Sequence, residues 1–237
     1  MLRSIGVTHL DTLMVSHQDA DHGGGALSLL ETVPVATLRS SPPVDHPIVR
    51  ARTPIGETAT RCTTGESWQW DGVDFTILHP VAASYSTPKL KPNDLSCVIR
   101  IANAAGSALL TGDIEARTEA DLVRRSGNAL RTHVLVVPLH GSKTSPTSAF
   151  IAAVHPDAAV YTPGYRNRFH HPRPEIVDRY EAAGVKNYGT DYDGALTYTF
   201  GRGQATNHDW SASTMRDIGV RRRCGEIFRR WNAVRRA

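Results

Sequence analysis

With 237 residues, 40% hydrophobic and 21% charged, the chain can build one large domain with a sizeable core, which excludes a disordered polymer. No apolar run is long enough to span a membrane, and Arg3 is followed by no apolar core, so neither a transmembrane helix nor a signal peptide is expected and the chain reads as soluble as given. The net charge of +4 is unevenly placed: residues 216–237 carry eight arginines against Asp217 and Glu226, a local +6 that leaves the rest at −2.

In chain order, residues 1–9 read as a helix end and a turn, and Asp11 to Ser16 as the first strand. A turn over His17 to Gly25 leads to a short helix at 26–32 and a strand from Val35 to Leu38. Residues 40–66, with Ser-Ser-Pro-Pro, read as a surface excursion. Trp68 to Trp70, Asp71-Gly72 and Val73 to Leu78 form a hairpin with a tight turn. A loop over 80–92 precedes strands at Ser96 to Ile101 and Ala108 to Thr111. A helix over 114–126, a strand from Val134 to Pro138, a helix from Ser145 to Val154 and a strand from Ala158 to Thr162 follow. A loop through Asn167 and His171 leads to a helix from Glu175 to Ala183 and a last strand from Ala195 to Phe200. Beyond about 203 the pattern dissolves, with 218–236 able to form a basic helix. Strands alternating with helices, some as hairpins, give an α/β class with a mixed sheet. The odd, scattered set Cys62, Cys97 and Cys224 speaks against a disulfide framework and against a cysteine zinc site.

The densest chemistry is Ser16-His17-Gln18-Asp19-Ala20-Asp21-His22-Gly23-Gly24-Gly25. Four potential metal ligands, His17, Asp19, Asp21 and His22, follow a buried strand. Strand alternation would send His17, Asp19 and Asp21 one way, with His22 turning back to share a metal with Asp21. Mixed imidazole and carboxylate donors suit zinc, manganese or iron better than calcium or magnesium. Other polar turns also stop strands: Asp113 after Leu110 and His140 after Val137. Ligands at strand ends along one sheet edge are where an α/β protein builds a site. Duller roles exist for each: Asp113 as a helix cap, His140 as a turn histidine, His171 as a surface residue before proline.

Five motifs in order carry a resemblance: His-x-Asp-x-Asp-His-x-Gly-Gly at 17–25, Asn93-Asp94-Leu95-Ser96, Leu109 to Asp113, His140-Gly141-Ser142, and the loop from Asn167 to Pro172. The sequence resembles the metallo-β-lactamase superfamily and, within it, the C-terminal hydrolase domain of ComEC-type competence proteins, over roughly residues 3–200. The resemblance implies an αββα sandwich over residues 1–202, N-terminally truncated because the usual strand hairpin before the first motif is missing, and a basic tail over 203–237. It implies two divalent metal ions, zinc or manganese. His17 and Asp19 would hold the first, with Asp94 as a further ligand. Asp21, His22 and His140 would hold the second, and Asp113 would bridge the two. Asp21 and His171 would take part in the chemistry, and Ser142, Lys143, Asn167 and His171 would contact the phosphate. Asp19, where common members have histidine, makes the site harder, which favours manganese or magnesium. Two such ions activate a water and stabilise an in-line displacement at phosphorus.

The implied activity is a phosphodiesterase acting on single-stranded DNA during uptake. The implied partner is the membrane channel portion of a ComEC-type protein at the bacterial inner membrane, if the chain belongs to a longer one. A hydrolase of small phosphodiesters or thioesters, or an inactive remnant, are the alternatives. The arginine-rich tail fits DNA backbone binding, a solvated helix or a membrane-surface anchor.

Overall fold

The computed structural model describes residues 6–51 and 59–201, and the backbone of 210–215. Two sheets carry the architecture. In the first, β1 (Leu10–Val15) runs parallel to β2 (Val35–Ser40), which runs parallel to β3 (Thr60–Arg61). Between them lie α1 (Ala20–Gly23), α2 (Ala26–Thr32) and α3 (Pro47–Arg50). Ala26 and Leu30, four residues apart on one face of α2, pack with Ile48 of α3 onto Val15, Val35 and Leu38.

The second sheet is longer. The hairpin of β4 (Ser67–Trp70) and β5 (Val73–His79) turns at Asp71-Gly72, both with positive φ, as a tight two-residue hairpin turn requires. β6 (Val98–Asn103) and β7 (Gly106–Leu110) continue it antiparallel. After β7 the chain crosses over through α4 (Ala116–Ser126) to β8 (Val134–Val136), through α5 (Ser148–Val154) to β9 (Ala158–Tyr161), and through α6 (Pro174–Ala182) to β10 (Lys186–Gly189), all parallel. Helix residues Leu122, Phe150, Val154, Ile176 and Tyr180 bury against Leu109, Leu135 and Ala159 of the strands. Wholly buried Glu119 of α4 ties this layer together: its carboxylate accepts from the Ser145 hydroxyl and, at 2.7 Å, from Thr147 N–H at the start of α5. The chain then passes through α7 (Thr190–Asp193) to β11 (Ala195–Phe200), which pairs antiparallel with β12 (Trp210–Met215).

The two sheets meet face to face. Cys62, Ile77 and Cys97 form the contact, with Met14 from the first sheet and Trp68 from the second against them. One helical layer covers each outer face, so the expected αββα order of layers is present.

The structure corrects several expectations. Cys62 and Cys97 are joined by a disulfide between the sheets, with Cα atoms 5.8 Å apart and both side chains buried. Thirty-five residues separate them in sequence, but Cys62 follows β3 and Cys97 precedes β6, so the sandwich closes that gap. An odd count leaves room for one bond. The excursion over 40–66 is not all surface: it contains α3 and β3, and Ser40, Ser41, Ile48 and Cys62 are buried. β1 ends at Val15, Gln18 and Asp19 lie in a bend and Ala20–Gly23 form one helical turn, so strand alternation does not run through the motif. The short elements α1, α3, β3, α7 and β10 are too brief for periodicity to reveal, and β12 lies where the pattern had dissolved. Readings for residues 1–5 and the helix over 218–236 lie outside the described residues.

Candidate metal centre

The first motif works because β1 ends against the second sheet. The Ser16 carbonyl accepts from Cys97 N–H at 2.9 Å and from the Ser41 hydroxyl. This fixes the strand end, and His17, 1% exposed, follows it inward. The backbone then wraps into α1, whose Gly23 and Gly24 N–H groups bond Asp19 and Ala20 carbonyls. A Cβ on Gly24 would lie 2.4 Å from the Ala20 carbonyl oxygen, so the turn closes only with glycine there.

Three imidazoles and the acids around them converge. His17 Nε2 lies 3.7 Å from Asp19 Oδ2 and 4.0 Å from Asp113 Oδ2. His22 Nε2 lies 3.1 Å from Asp113 Oδ1, 3.3 Å from His140 Nε2 and 3.9 Å from Asp21 Oδ2. His140 Nε2 lies 3.3 Å from Asp21 Oδ2. Two groups of donors follow, each close enough to share an ion: His17, His22 and Asp113, and Asp21, His22 and His140. The two Asp113 oxygens face different ways, Oδ2 toward His17 and Oδ1 toward His22 and His140. A carboxylate has two acceptor oxygens to offer in this way, whereas a neutral imidazole has a single acceptor nitrogen.

The donor set fits a divalent cation on an independent count. His17 Nε2 is buried with no hydrogen-bond partner among the described residues. Such a lone pair in the interior is costly unless something satisfies it. Burial pulls the His17 pKa down, assisted by the neighbouring His22 charge, so its imidazole is neutral and able to donate that lone pair. Burial pulls on His22 as well, but the hydrogen bond and charge of Asp113 outweigh it and raise its pKa. Burial would push the Asp113 carboxyl up, and the His22 hydrogen bond and charge, with His140 and His17, hold it below its ordinary value.

Three hydroxyls orient the imidazoles from behind. Ser16 Oγ sits 3.1 Å from both His17 Nδ1 and His22 Nδ1. Ser96 Oγ, wholly buried, is 3.3 Å from His17 Nδ1 and accepts from Asp113 N–H at 3.1 Å. Thr162 Oγ1 is 3.2 Å from His140 Nδ1. Partners on the far ring nitrogen fix ring orientation, and their loss typically costs 10–100-fold in metal affinity. Gly112 makes room for them: with φ +56°, a Cβ there would lie 2.9 Å from Ser96 Cβ and 3.1 Å from Ser16 Cβ. None of the three hydroxyls was singled out in sequence, although Ser16 heads the ligand-rich turn and Ser96 stands inside the second motif. Ser96→Ala is expected to weaken metal binding roughly tenfold or more, read by competition with a chromophoric chelator.

The remaining predicted residues divide. Leu139 and His140 are consecutive non-glycine residues with positive φ, 49° and 51°, a strained turn that aims His140 at the cluster. Ser142 and exposed Lys143 follow directly on that turn. His171 is part-buried near His140 and Asp113; burial first, then the charges of Arg173 and His140, lower its pKa. Its Nδ1 has no hydrogen-bond partner among the described residues. Arg173 N–H bonds the Gly141 carbonyl at 2.9 Å, knitting this loop to the His140 turn.

Asp94 and Asn167 are placed otherwise than expected. The Asp94 carboxylate accepts from Thr118 Oγ1 at 3.0 Å, its carbonyl bonds buried His79 Nε2 at 2.8 Å, and it joins neither donor group. A short 3-10 turn at Asn93–Leu95 carries it toward α4. The Asn167 amide is spent on its own loop, accepting from His171 N–H and donating to the His171 carbonyl, both at 2.8 Å.

Residues 1–165 match the model of a family described as the metallo-beta-lactamase superfamily. The chain is 36% identical over 202 residues to "Competence protein ComA" of Neisseria gonorrhoeae, covering 85% of this chain and 27% of that protein. It is 36% identical over 171 residues to "Recombination protein 2" of Haemophilus influenzae, covering 72% of this chain and 20% of that protein. It is 30% identical over 204 residues to "ComE operon protein 3" of Bacillus subtilis, covering 84% of this chain and 26% of that protein. The chain thus spans about a quarter of the length of the curated relatives it matches. An αββα sandwich and a His/Asp cluster at its seam agree with the matched family, whose fold is that of metal-dependent hydrolases. The chain belongs to the metallo-β-lactamase superfamily.

Proposed function

We propose that this domain is a metal-dependent phosphodiesterase that cleaves single-stranded DNA, in the setting of DNA uptake that the names of its competence-protein relatives suggest. The observation that carries the reading is the Asp113 carboxylate, with one oxygen turned to His17 and the other to His22 and His140. That arrangement supports two cations rather than one, with His17, Asp19 and Asp113 around the first and Asp21, His22, His140 and Asp113 around the second. Zinc or manganese suits the donors. When bound, such a pair supplies an activated water and charge stabilisation for displacement at phosphorus.

The chain's own residues do the rest. His171, kept neutral at pH 7 by its lowered pKa, offers one ring N–H to a phosphate oxygen beside the cluster. Lys143, on the turn after His140, offers a positive charge to the same phosphate. The strained His140 turn and the Ser16, Ser96 and Thr162 hydroxyls hold the imidazoles in place before substrate arrives, which lowers the cost of reorganisation in the reaction. No helix among the described residues is long and apolar enough to cross a membrane. In this reading any membrane attachment comes from the channel portion of a longer protein, which is the proposed partner.

The test is cleavage of a labelled single strand with manganese by the purified chain and by His17→Ala. The parent is expected to cleave and the variant to lose activity by roughly a thousandfold, which corresponds to about 4 kcal/mol of barrier. Hydrolysis of a small diester without cleavage of DNA would favour the small-substrate alternative. A folded parent that takes up no metal would mean a remnant.

A further inference from the structure

Beside the cluster, the loop between β9 and α6 carries a second feature. Tyr165 is 76% exposed and Phe169 is 56% exposed. Each ring has a guanidinium over its face: Arg166 at 5.3 Å from the Tyr165 centroid and Arg168 at 4.9 Å from that of Phe169. Phe169 also stacks on His171, with centroids 5.9 Å apart and planes 18° from parallel. From Tyr165 to Pro174 the sequence holds Arg166, Arg168 and Arg173 and no acid.

This is a built surface. The Asn167 amide clamps both backbone groups of His171. Asn167 N–H bonds the Gly164 carbonyl, His170 N–H bonds the Asn167 carbonyl, and the Thr190 hydroxyl bonds the Pro163 carbonyl. Arg166 and His170 take positive φ, 53° and 56°, and the runs 164–166 and 168–170 are exposed. Ordering a loop in order to hold two large rings in water gains nothing for the core. Flat rings with cations above them, next to a centre that fits phosphate chemistry, are what a nucleic-acid strand with unstacked bases meets in single-strand binders.

We infer that Tyr165 and Phe169 form a stacking platform for the bases of a single strand, with Arg166 and Arg168 on its backbone, and that this platform makes the site prefer single strands over duplexes. The inference rests on the phosphodiesterase reading and deepens it. A duplex keeps its bases stacked on one another and leaves these rings without partners. Base stacking on an aromatic ring changes affinity roughly five- to a hundredfold per base, and it does not depend on sequence because every base has a flat face.

The test compares binding of two labelled strands of equal length and charge to the manganese-loaded chain: phosphorothioate oligothymidine and an abasic phosphorothioate strand. The parent is expected to prefer the thymidine strand by roughly tenfold or more, and Tyr165→Ala and Phe169→Ala to lose most of that preference. Tyr165→Phe and Phe169→Tyr keep a ring and should keep the preference. An unchanged preference in both alanine variants would overturn the platform, and DNA cleavage by the parent would then leave the phosphodiesterase reading standing. A parent that binds neither strand and cleaves no DNA, while hydrolysing a small diester, would sink both. Weakened binding to anionic phospholipid vesicles in the alanine variants, with oligonucleotide binding intact, would make the loop a membrane contact and overturn the inference.

Discussion

Asp113→Asn is expected to lower metal-dependent hydrolysis by roughly a thousandfold, about 4 kcal/mol of barrier, while leaving the fold intact. The substitution keeps the shape and one carbonyl oxygen. It removes the charge that sits between the two donor groups and one of the two oxygens that face them. In the two-metal reading, metal content should fall toward one ion per chain, measurable by elemental analysis after gel filtration. The metal-free protein gives an independent reading through pH. The His22 pKa is raised above 6.5 in the folded state and that of Asp113 is lowered below 3.8. The raised histidine contributes stability that is fully present below 6.5 and lost as pH climbs through its folded value. The lowered aspartate contributes stability present above 3.8 and lost as pH falls through its folded value. The gap in melting temperature between metal-free parent and Asp113→Asn should therefore be widest between those two pH values and should narrow on either side. A gap that does not vary with pH would mean that the two groups are not paired.

The second large effect concerns the disulfide. Removing it with Cys62→Ser and Cys97→Ser together is expected to destabilise the chain by about 4 kcal/mol, the loop-closure value for a crosslink of this span. For a domain of this size that corresponds to a fall in melting temperature of roughly 10 °C. Calorimetry with and without reductant reads the change. Before reduction, denatured chain should show one titratable thiol, and after reduction three, given the three cysteines. An unreduced chain that titrates three thiols would show that the bond does not form.

Much of this architecture was legible because its signals are local. A ligand-rich turn after an apolar strand, an Asp-Gly hairpin and helices of seven or more residues each declare themselves within a short window. The elements that escaped are those whose stability comes from elsewhere. β3 is two residues long and exists because β2 offers it an edge. Cys62 and Cys97 could be paired only by knowing that two sheets close on each other.

The candidate centre divides in the same way. His17, Asp19, Asp21 and His22 are neighbours in sequence, and Asp113 and His140 stand at strand ends, so chain order and residue type pointed to them. Asp94 and Asn167 carry the right chemistry, but Thr118 and the His171 backbone claim their side chains first. The Ser16, Ser96 and Thr162 hydroxyls are too common a residue type to stand out before the imidazoles they hold are located.

The seam between the sheets is fastened twice. A covalent bond joins Cys62, after the last strand of the first sheet, to Cys97, before the third strand of the second. Beside it the donors come from both covers: His17 to His22 follow β1 of the first sheet, Asp113 and His140 follow β7 and β8 of the second. An ion held there would act as a clasp on a book whose spine is sulfur. Anything that binds only the closed form adds to its stability, so in the two-metal reading the centre would double as a latch. Cys97 adjoins Ser96, which steadies both His17 and Asp113, so spine and clasp are set one residue apart.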